Sequence, residues 1–313
     1  MKCTRNANRG LSRRQFIQAT LAGGAAALLG KRASFAMDEI APDKTDVWVF
    51  HGEDKEALMK ACLRTISDNG GFFDGARKLT LKVNAAWIRK PNQGANTHPQ
   101  LVETFLNGCK DQGITELLLP EYTCDKATES FAESGILDAA KNAGARMINL
   151  QTDKHLFKDV EVPDGKNLKT ARVAVDFLET DVLVNMPVAK HHGAAAMTCA
   201  MKNWMGAVEE RGLFHQNNLH QCIADSCTVL RPQWTIVDAT RIMLDRGPKG
   251  PTTNMNIANL LIVSRDQVAA DAYAASLFPD ELRKKMHFLD IAGEMKIGMT
   301  DLSQMDIHRI EVG

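Results

Sequence analysis

From residue 46 onward, short apolar β-rich runs alternate with segments of helical periodicity, and this alternation restricts the fold more than any other feature. DVWVF (46–50), LTLKVN (79–84), TELLLP (115–120), RMINL (146–150), DVLVN (181–185), TIVDA (235–239), LLIVS (260–264) and HRIEV (308–312) read as strands, and TARVAVDFL (170–178) as extended. Between them, EDKEALMKACLRTI (53–66) sets Leu58, Cys62 and Ile66 at helical spacing. HPQLVETFLNGCKDQG (98–113) has Thr97 as a cap and Pro99 in its first turn, and helical patterns recur at 136–144, 195–207, 217–230 and 266–278. Strands separated by helices pair in parallel and need both faces covered. The expected class is therefore α/β, a mostly parallel sheet with helices on both faces. Asn84 and Asn185 both end strands and are each followed by a Pro and a His, an echo that leaves a bilobed arrangement open.

The N-terminus reads as an address. Ser12-Arg13-Arg14-Gln15-Phe16-Ile17 matches the twin-arginine export pattern S-R-R-x-F-L with Ile for Leu, and a weakly apolar run from Ile17 to Gly30 follows. That run has fourteen residues, short of the roughly twenty that span a bilayer. Small residues flank a cut after Ala36. The expectation is a cleaved signal over 1–36, an exposed leader over 37–45 and one α/β domain over 46–313. It implies the twin-arginine machinery as partner, a periplasmic or otherwise exported location, and no stable membrane span after processing.

Composition matters here for charge. The whole chain has 38 basic and 38 acidic residues, but the first 36 hold seven basic and no acidic ones, so the remainder carries 31 against 38, a net charge near −7. That excess argues against a nucleic-acid partner, which needs a basic face. Six cysteines remain after processing, Cys62, Cys109, Cys124, Cys199, Cys222 and Cys227, with no CxxC and no ferredoxin-type iron–sulfur spacing. A chain exported folded acquires its structure in a reducing compartment, so most are expected to be buried thiols.

In open α/β sheets, ligands gather at the carboxyl ends of strands. Lys82 and Asn84 fall at one such end and Asn185 at another, with Lys190, His191 and His192 just behind it. Helical spacing over 194–207 would put Thr198 and Lys202 on one face and Cys199 and Asn203 on the next, with the Lys190–His192 cluster at the helix N-terminus, where an anion is favoured. Lys82, Lys190 and Lys202 together would complement an oxyanion. Asp271 falls on the buried stripe of its helix and needs a partner, for which a lysine of the cluster is the candidate. His215, His220, Cys222 and Cys227 lack zinc-motif spacing, although His220 could join His98 or His192 from elsewhere.

These blocks, in this order, resemble the bacterial and archaeal family called domain of unknown function 362. Lys82-Val83-Asn84 and Thr97-His98-Pro99 match its Lys-x-Asn and Thr-His-Pro pieces. Asn185-Met186-Pro187-Val188-Ala189-Lys190-His191-His192, then Thr198 through Lys202-Asn203 to Gly206, match its central block. Val237-Asp238, Gly247-Pro248-Lys249-Gly250 and Ala269-Ala270-Asp271-Ala272 match later pieces. Cys199 stands where the family has Gly, and the ferredoxin-like domain of some relatives is not in this sequence. The resemblance locates a site without naming a reaction.

The leading expectation is an exported enzyme or cofactor protein with a pocket for a small anionic ligand. Lys190, His192 and Lys202 would be catalytic. Lys82, Asn84, Thr198, Asn203 and Asp238 would bind ligand, and Asp271 would support. A metal, if one is bound, would be held by His98, His192 and Cys199. The alternatives are a non-catalytic periplasmic anion-binding or metalloenzyme-assembly protein, and a domain whose polar set only forms internal ion pairs.

Overall fold

The computed structural model describes residues 45–72, 75–251 and 254–313. The twin-arginine segment and the leader up to Lys44 lie outside them; Thr45 already belongs to the first strand.

Eight strands form the path of one sheet. Strand β1 (Thr45–His51) is followed by helix α1 (Lys55–Asp68), β2 (Lys78–Val83), α2 (Pro99–Asp111) and β3 (Glu116–Glu121). Next come α3 (Ala127–Glu133), α4 (Ile136–Asn142), β4 (Arg146–Asn149), and a separate antiparallel pair, β5 (Phe157–Glu161) with β6 (Thr170–Ala174). After α5 (Val175–Leu178), β7 (Val182–Met186) re-enters the sheet and β8 (Val188–His192) turns into β9 (Ala196–Thr198). Short helices α6 (Ala200–Asn203) and α7 (Gly212–Gln216) lead to α8 (Leu219–Cys227) and the long β10 (Trp234–Met243). The chain ends with β11 (Met255–Asn256), β12 (Leu260–Ser264), α9 (Gln267–Ala275), α10 (Asp280–Arg283), α11 (His287–Glu294) and β13 (Met305–Glu311).

The sheet order is β13-β1-β12-β10-β7-β2-β3-β4, with β8, β9 and β11 added beside β10. All pairs along the path are parallel except the two made by β12, with β1 and with β10. From β2 the chain moves outward through β3 and β4, then returns to β7 on the other side of β2. The boundary between β2 and β7 is thus a topological switch point, where a crevice opens beyond the carboxyl ends of the strands.

Two apolar layers sandwich the sheet. On one face, Leu79, Leu81 and Val83 of β2 and Val182, Val184 and Met186 of β7 pack with α1, α2 and α4. On the other, Leu183, Val237 and Ile262 pack with α8, α9 and α11. The period of two along a strand puts Lys82 and Asn185, aligned across β2 and β7, on this second face. Helix starts follow from their caps: Asp54 accepts the Glu56 and Ala57 N–H groups at 2.8 and 3.2 Å, and Asp266 those of Val268 and Ala269 at 2.8 and 3.1 Å.

Residues 194–207 do not form the continuous helix expected of an Ala-rich stretch. Lys190 pairs with Thr198 and His192 with Ala196 in an antiparallel β8–β9 hairpin, while β8 lies parallel to β10. Strand pairing overrides the local helix preference, and only α6 and a 3₁₀ turn over Trp204–Ala207 remain helical. The Lys190–His192 cluster is therefore on a strand and is not at a helix N-terminus.

Candidate functional site

The hairpin, α6 and the ends of β2 and β3 enclose a cavity of about 350 Å³. Of the residues expected at a site, it gathers Lys82, Asn84, Lys190, His192, Thr198, Lys202 and Asn203. A larger open groove of about 840 Å³ runs between α1 and α2. Its lining includes the exposed, mutually paired Lys60 and Glu56, so it lacks the unmet buried charge of the smaller cavity.

Asn203 is the hub. Its amide nitrogen donates to Asn185 Oδ1 at 2.9 Å, and its Oδ1 accepts from Asn84 Nδ2 at 3.2 Å and from Lys82 Nζ at 3.3 Å. Asn185 in turn donates to the Ala200 carbonyl at 2.9 Å. The side chains at the ends of β2 and β7 are thereby tied to α6.

The three lysines differ in what meets their charge. Lys82, only 1% exposed, donates to Glu121 Oε2 at 2.8 Å and to the Val83 carbonyl at 2.5 Å. Burial lowers its pKa and raises that of Glu121, and the opposite charge of each partner counters both shifts. Lys190, also 1% exposed, donates to Asn84 Oδ1 at 3.1 Å and to the Ala95 carbonyl, both neutral acceptors. Burial pulls its pKa down to about 7, helped by the neighbouring ammonium groups of Lys202 and Lys82. Lys202, 9% exposed, reaches only the Met205 sulfur among the described residues, at 3.4 Å, and burial lowers its pKa to about 8. Among the described residues, neither Lys190 nor Lys202 has a carboxylate oxygen within 4.0 Å, whereas Lys82 does.

His192 has a fixed tautomer. Its Nδ1 accepts the Ala194 and Ala195 N–H groups, each at 3.1 Å, so the ring proton of the neutral imidazole sits on Nε2. Burial, reinforced by the Lys202 and Lys190 charges, holds its pKa down to about 2, so the ring stays neutral. A metal at Nε2 would require the proton to move to Nδ1, where two N–H groups already point.

The structure does not bring His98, His192 and Cys199 together as a ligand set. Among the described residues, the grouping of potential metal ligands is the exposed trio Asp46, Asp306 and His308. His98 caps α2, its Nδ1 accepting the Gln100 N–H at 3.2 Å. Cys199 is fully buried, and its thiol hydrogen-bonds Asp271. Asp238 is buried and already occupied. It accepts from the His98 N–H at 2.9 Å, the Thr240 hydroxyl at 2.6 Å and Arg241 at 3.1 Å, which makes it a brace between β10 and α2. His220 packs on Phe288 and His287, whereas His215 lines the cavity.

Asp271 pairs with no lysine. Its carboxylate accepts the Ala200 and Met201 N–H groups at 2.6 and 3.0 Å, filling the N-terminus of α6 with the protein's own anion. Asp271→Ala is expected to cost about 3 kcal/mol, because two buried donors lose their acceptor; chemical denaturation measures it, and a cost below about 0.5 kcal/mol would contradict this bracing role.

Sequence reasoning missed Glu121, Cys124, Tyr122 and Arg211, which also line the cavity. Arg211 donates to the Tyr122 and Thr123 carbonyls at 3.1 and 2.7 Å and lies over the Tyr122 ring. The one available signal was Glu121 at the end of an apolar strand, the same kind of position as Lys82. The glycine of Met205-Gly206 has a steric reason: a Cβ there would sit 2.1 Å from Glu121 Oε1 and 2.9 Å from Lys82 Nζ.

The chain is similar to several known proteins. The thylakoid-associated protein sll1697 of Synechocystis is 19% identical over 223 residues, covering 69% of this chain and 67% of its own length. The lactate racemase apoprotein of Thermoanaerobacterium thermosaccharolyticum aligns with a TM-score of 0.45 and 13% identity over 75% of this chain. A Thermotoga maritima protein aligns with a TM-score of 0.43 and 9% identity over 78%. The chain spans 58% and 60% of the lengths of those two structures. Residues 10–30 match the twin-arginine translocation signal, so the protein is directed to that export pathway, and no helix among the described residues is long and apolar enough to cross a membrane. Residues 79–276, which hold every lysine and asparagine of the cavity, match the family described as Domain of unknown function (DUF362), and the chain belongs to that family.

Proposed function

We propose that this exported protein binds a small organic or inorganic oxyanion in the cavity at the β2–β7 switch point, with Lys190 placed to exchange a proton with the bound ligand. One observation carries the reading: Lys190 and Lys202 are buried, line one cavity and, among the described residues, have no carboxylate partner. Buried ammonium groups are costly without counter-charge, and an anionic ligand supplies it. The Nε2–H of His192 and the hydroxyl of Thr198 add neutral donors. Lys82, already neutralised by Glu121, serves as scaffold, as do Asp238 and Asp271.

Lys190 is poised between its two forms near neutral pH. As an ammonium it binds charge; as an amine it keeps two N–H bonds for Asn84 and Ala95 and holds a lone pair that can accept a proton.

Thermal unfolding and calorimetry with phosphate, sulfate, acetate, malonate and succinate test this at constant ionic strength. At least one is expected to stabilise the chain saturably, by about 2.7 kcal/mol at a hundredfold excess over Kd. Binding should be strongest below pH 7 and weaken as pH rises through about 7 and about 8, where Lys190 and Lys202 lose their protons. Lys202→Met should abolish it. Equal response to all anions and to chloride, or binding that survives Lys202→Met, would overturn the reading.

A further inference from the structure

The cavity is also lined by a thiol that the anion reading leaves without a role. All six described cysteines are unpaired thiols, and five of them are buried. Burial pushes the thiols of Cys62, Cys109, Cys199, Cys222 and Cys227 up, which keeps them protonated and unreactive. Cys124 is the exception among the described residues: it is exposed, and it lines the cavity beside Lys82, Lys190 and Lys202.

Its position is fixed from two sides. The N–H groups of Cys124 and Asp125 donate to the Ala86 carbonyl at 2.9 and 3.0 Å, pinning the loop after β3 to the segment leaving β2. Arg211 grips the carbonyl of Thr123 immediately before it. A negative charge on the Cys124 sulfur would favour the charged form of all three lysines. Among the described residues, Cys124 is the thiol that shares this cavity with the three ammonium groups. A second, independent observation points to a ligand in the same space. Lys202 is nine-tenths buried, lines the cavity and, among the described residues, has only a thioether as acceptor.

We propose that Cys124 is the nucleophile of this cavity and attacks an electrophilic carbon in a small ligand whose carboxylate or other oxyanion is held by Lys190 and Lys202. This rests on the oxyanion reading above and narrows the ligand class to oxyanions carrying an electrophilic carbon. The step is redox-neutral. The thiol proton goes to solvent, the sulfur lone pair forms the C–S bond, and the bond from that carbon to its leaving group breaks with its electron pair.

Iodoacetate and iodoacetamide separate charge recognition from plain thiol exposure. Both alkylate by displacement of iodide at the same carbon; one carries a carboxylate and the other a neutral amide. A free thiolate in water shows no preference for the anionic reagent. The full chain is alkylated with each at equal ionic strength, and mass spectrometry resolves the Cys124 peptide from those of the other cysteines, Cys3 included. Cys124 is expected to react about tenfold faster with iodoacetate than with iodoacetamide, because the bound carboxylate brings the carbon to the sulfur. The iodoacetate rate should saturate with concentration and fall when phosphate or malonate competes. Lys202→Met should erase the preference while leaving reaction with iodoacetamide measurable; should that variant not fold, competition in the wild-type chain decides. Equal or slower reaction with iodoacetate, without saturation or competition, would overturn the proposal. If thermal titration still shows saturable anion binding in that case, the nucleophile assignment alone falls. If neither response is seen, both readings fall.

Discussion

Glu121→Gln lowers the free energy of unfolding by about 3–5 kcal/mol, the range expected when one partner of a buried ion pair is removed. Glu121 Oε2 accepts both from Lys82 Nζ at 2.8 Å and from the Ala85 N–H at 3.0 Å. Glutamine keeps the shape and can keep the bond to Ala85, so what is lost is the charge facing Lys82. That ammonium is 1% exposed, and its remaining acceptors, the Val83 carbonyl and Asn203 Oδ1, are neutral. The double variant Lys82→Met with Glu121→Gln should recover most of the loss, because removing both charges together also removes their desolvation cost. Urea unfolding of the single and double variants measures the coupling. A cost below about 1 kcal/mol for Glu121→Gln, the value typical of solvated pairs, would mean that Lys82 is already neutral in the folded chain.

The same pair shows which parts of the site could be read from sequence. Lys82, Asn84 and Asn185 were legible because a polar residue closing an apolar parallel strand has few places to go except the crevice at the sheet's carboxyl edge. Glu121 closes β3 in the same way, yet a lone acidic residue after an apolar run reads as the first exposed residue of a turn. Only the folded structure shows it buried against Lys82. Asp271 was recognisable as a buried carboxylate from its helical stripe. Its partner was not, because the Ala200 and Met201 N–H groups become available only once α6 starts at that position. The stretch 194–207 misled for a related reason. Its alanines favour helix locally, but β10 offers an edge to which Val188 and Lys190 pair, and the hairpin follows. Cys124 and Arg211 lie in connections with no periodicity and carried no signal.

Between pH 7 and pH 9 a rise in stability is expected from Lys190. Its folded pKa of about 7 lies below the ordinary lysine value of 10.5. Below pH 7 both folded and unfolded chains carry the proton. Between about 7 and 10.5 only the unfolded chain holds it, so the unfolded state binds more protons and stability rises with pH. One such proton corresponds to about 1.4 kcal/mol per pH unit at full slope, or about 2.3 kcal/mol between pH 7 and pH 9, because the folded chain is still half protonated at pH 7. The unfolding free energy of the wild type should therefore climb by that amount relative to Lys190→Met over the same interval. The variant also strands the acceptors on Asn84 and Ala95, at about 1–3 kcal/mol each. That loss does not depend on pH, so the difference in slope isolates the lysine. Lys202→Met should separate from the wild type only above about pH 8, a unit later, in keeping with the higher pKa of Lys202. A bound anion reverses the balance, since it stabilises the ammonium form and moves the start of the rise to higher pH. Parallel stability curves for wild type and Lys190→Met from pH 6 to pH 9 would show that Lys190 keeps an ordinary pKa despite its burial. The buried charge that underlies the proposed anion site would then be compensated by the protein itself.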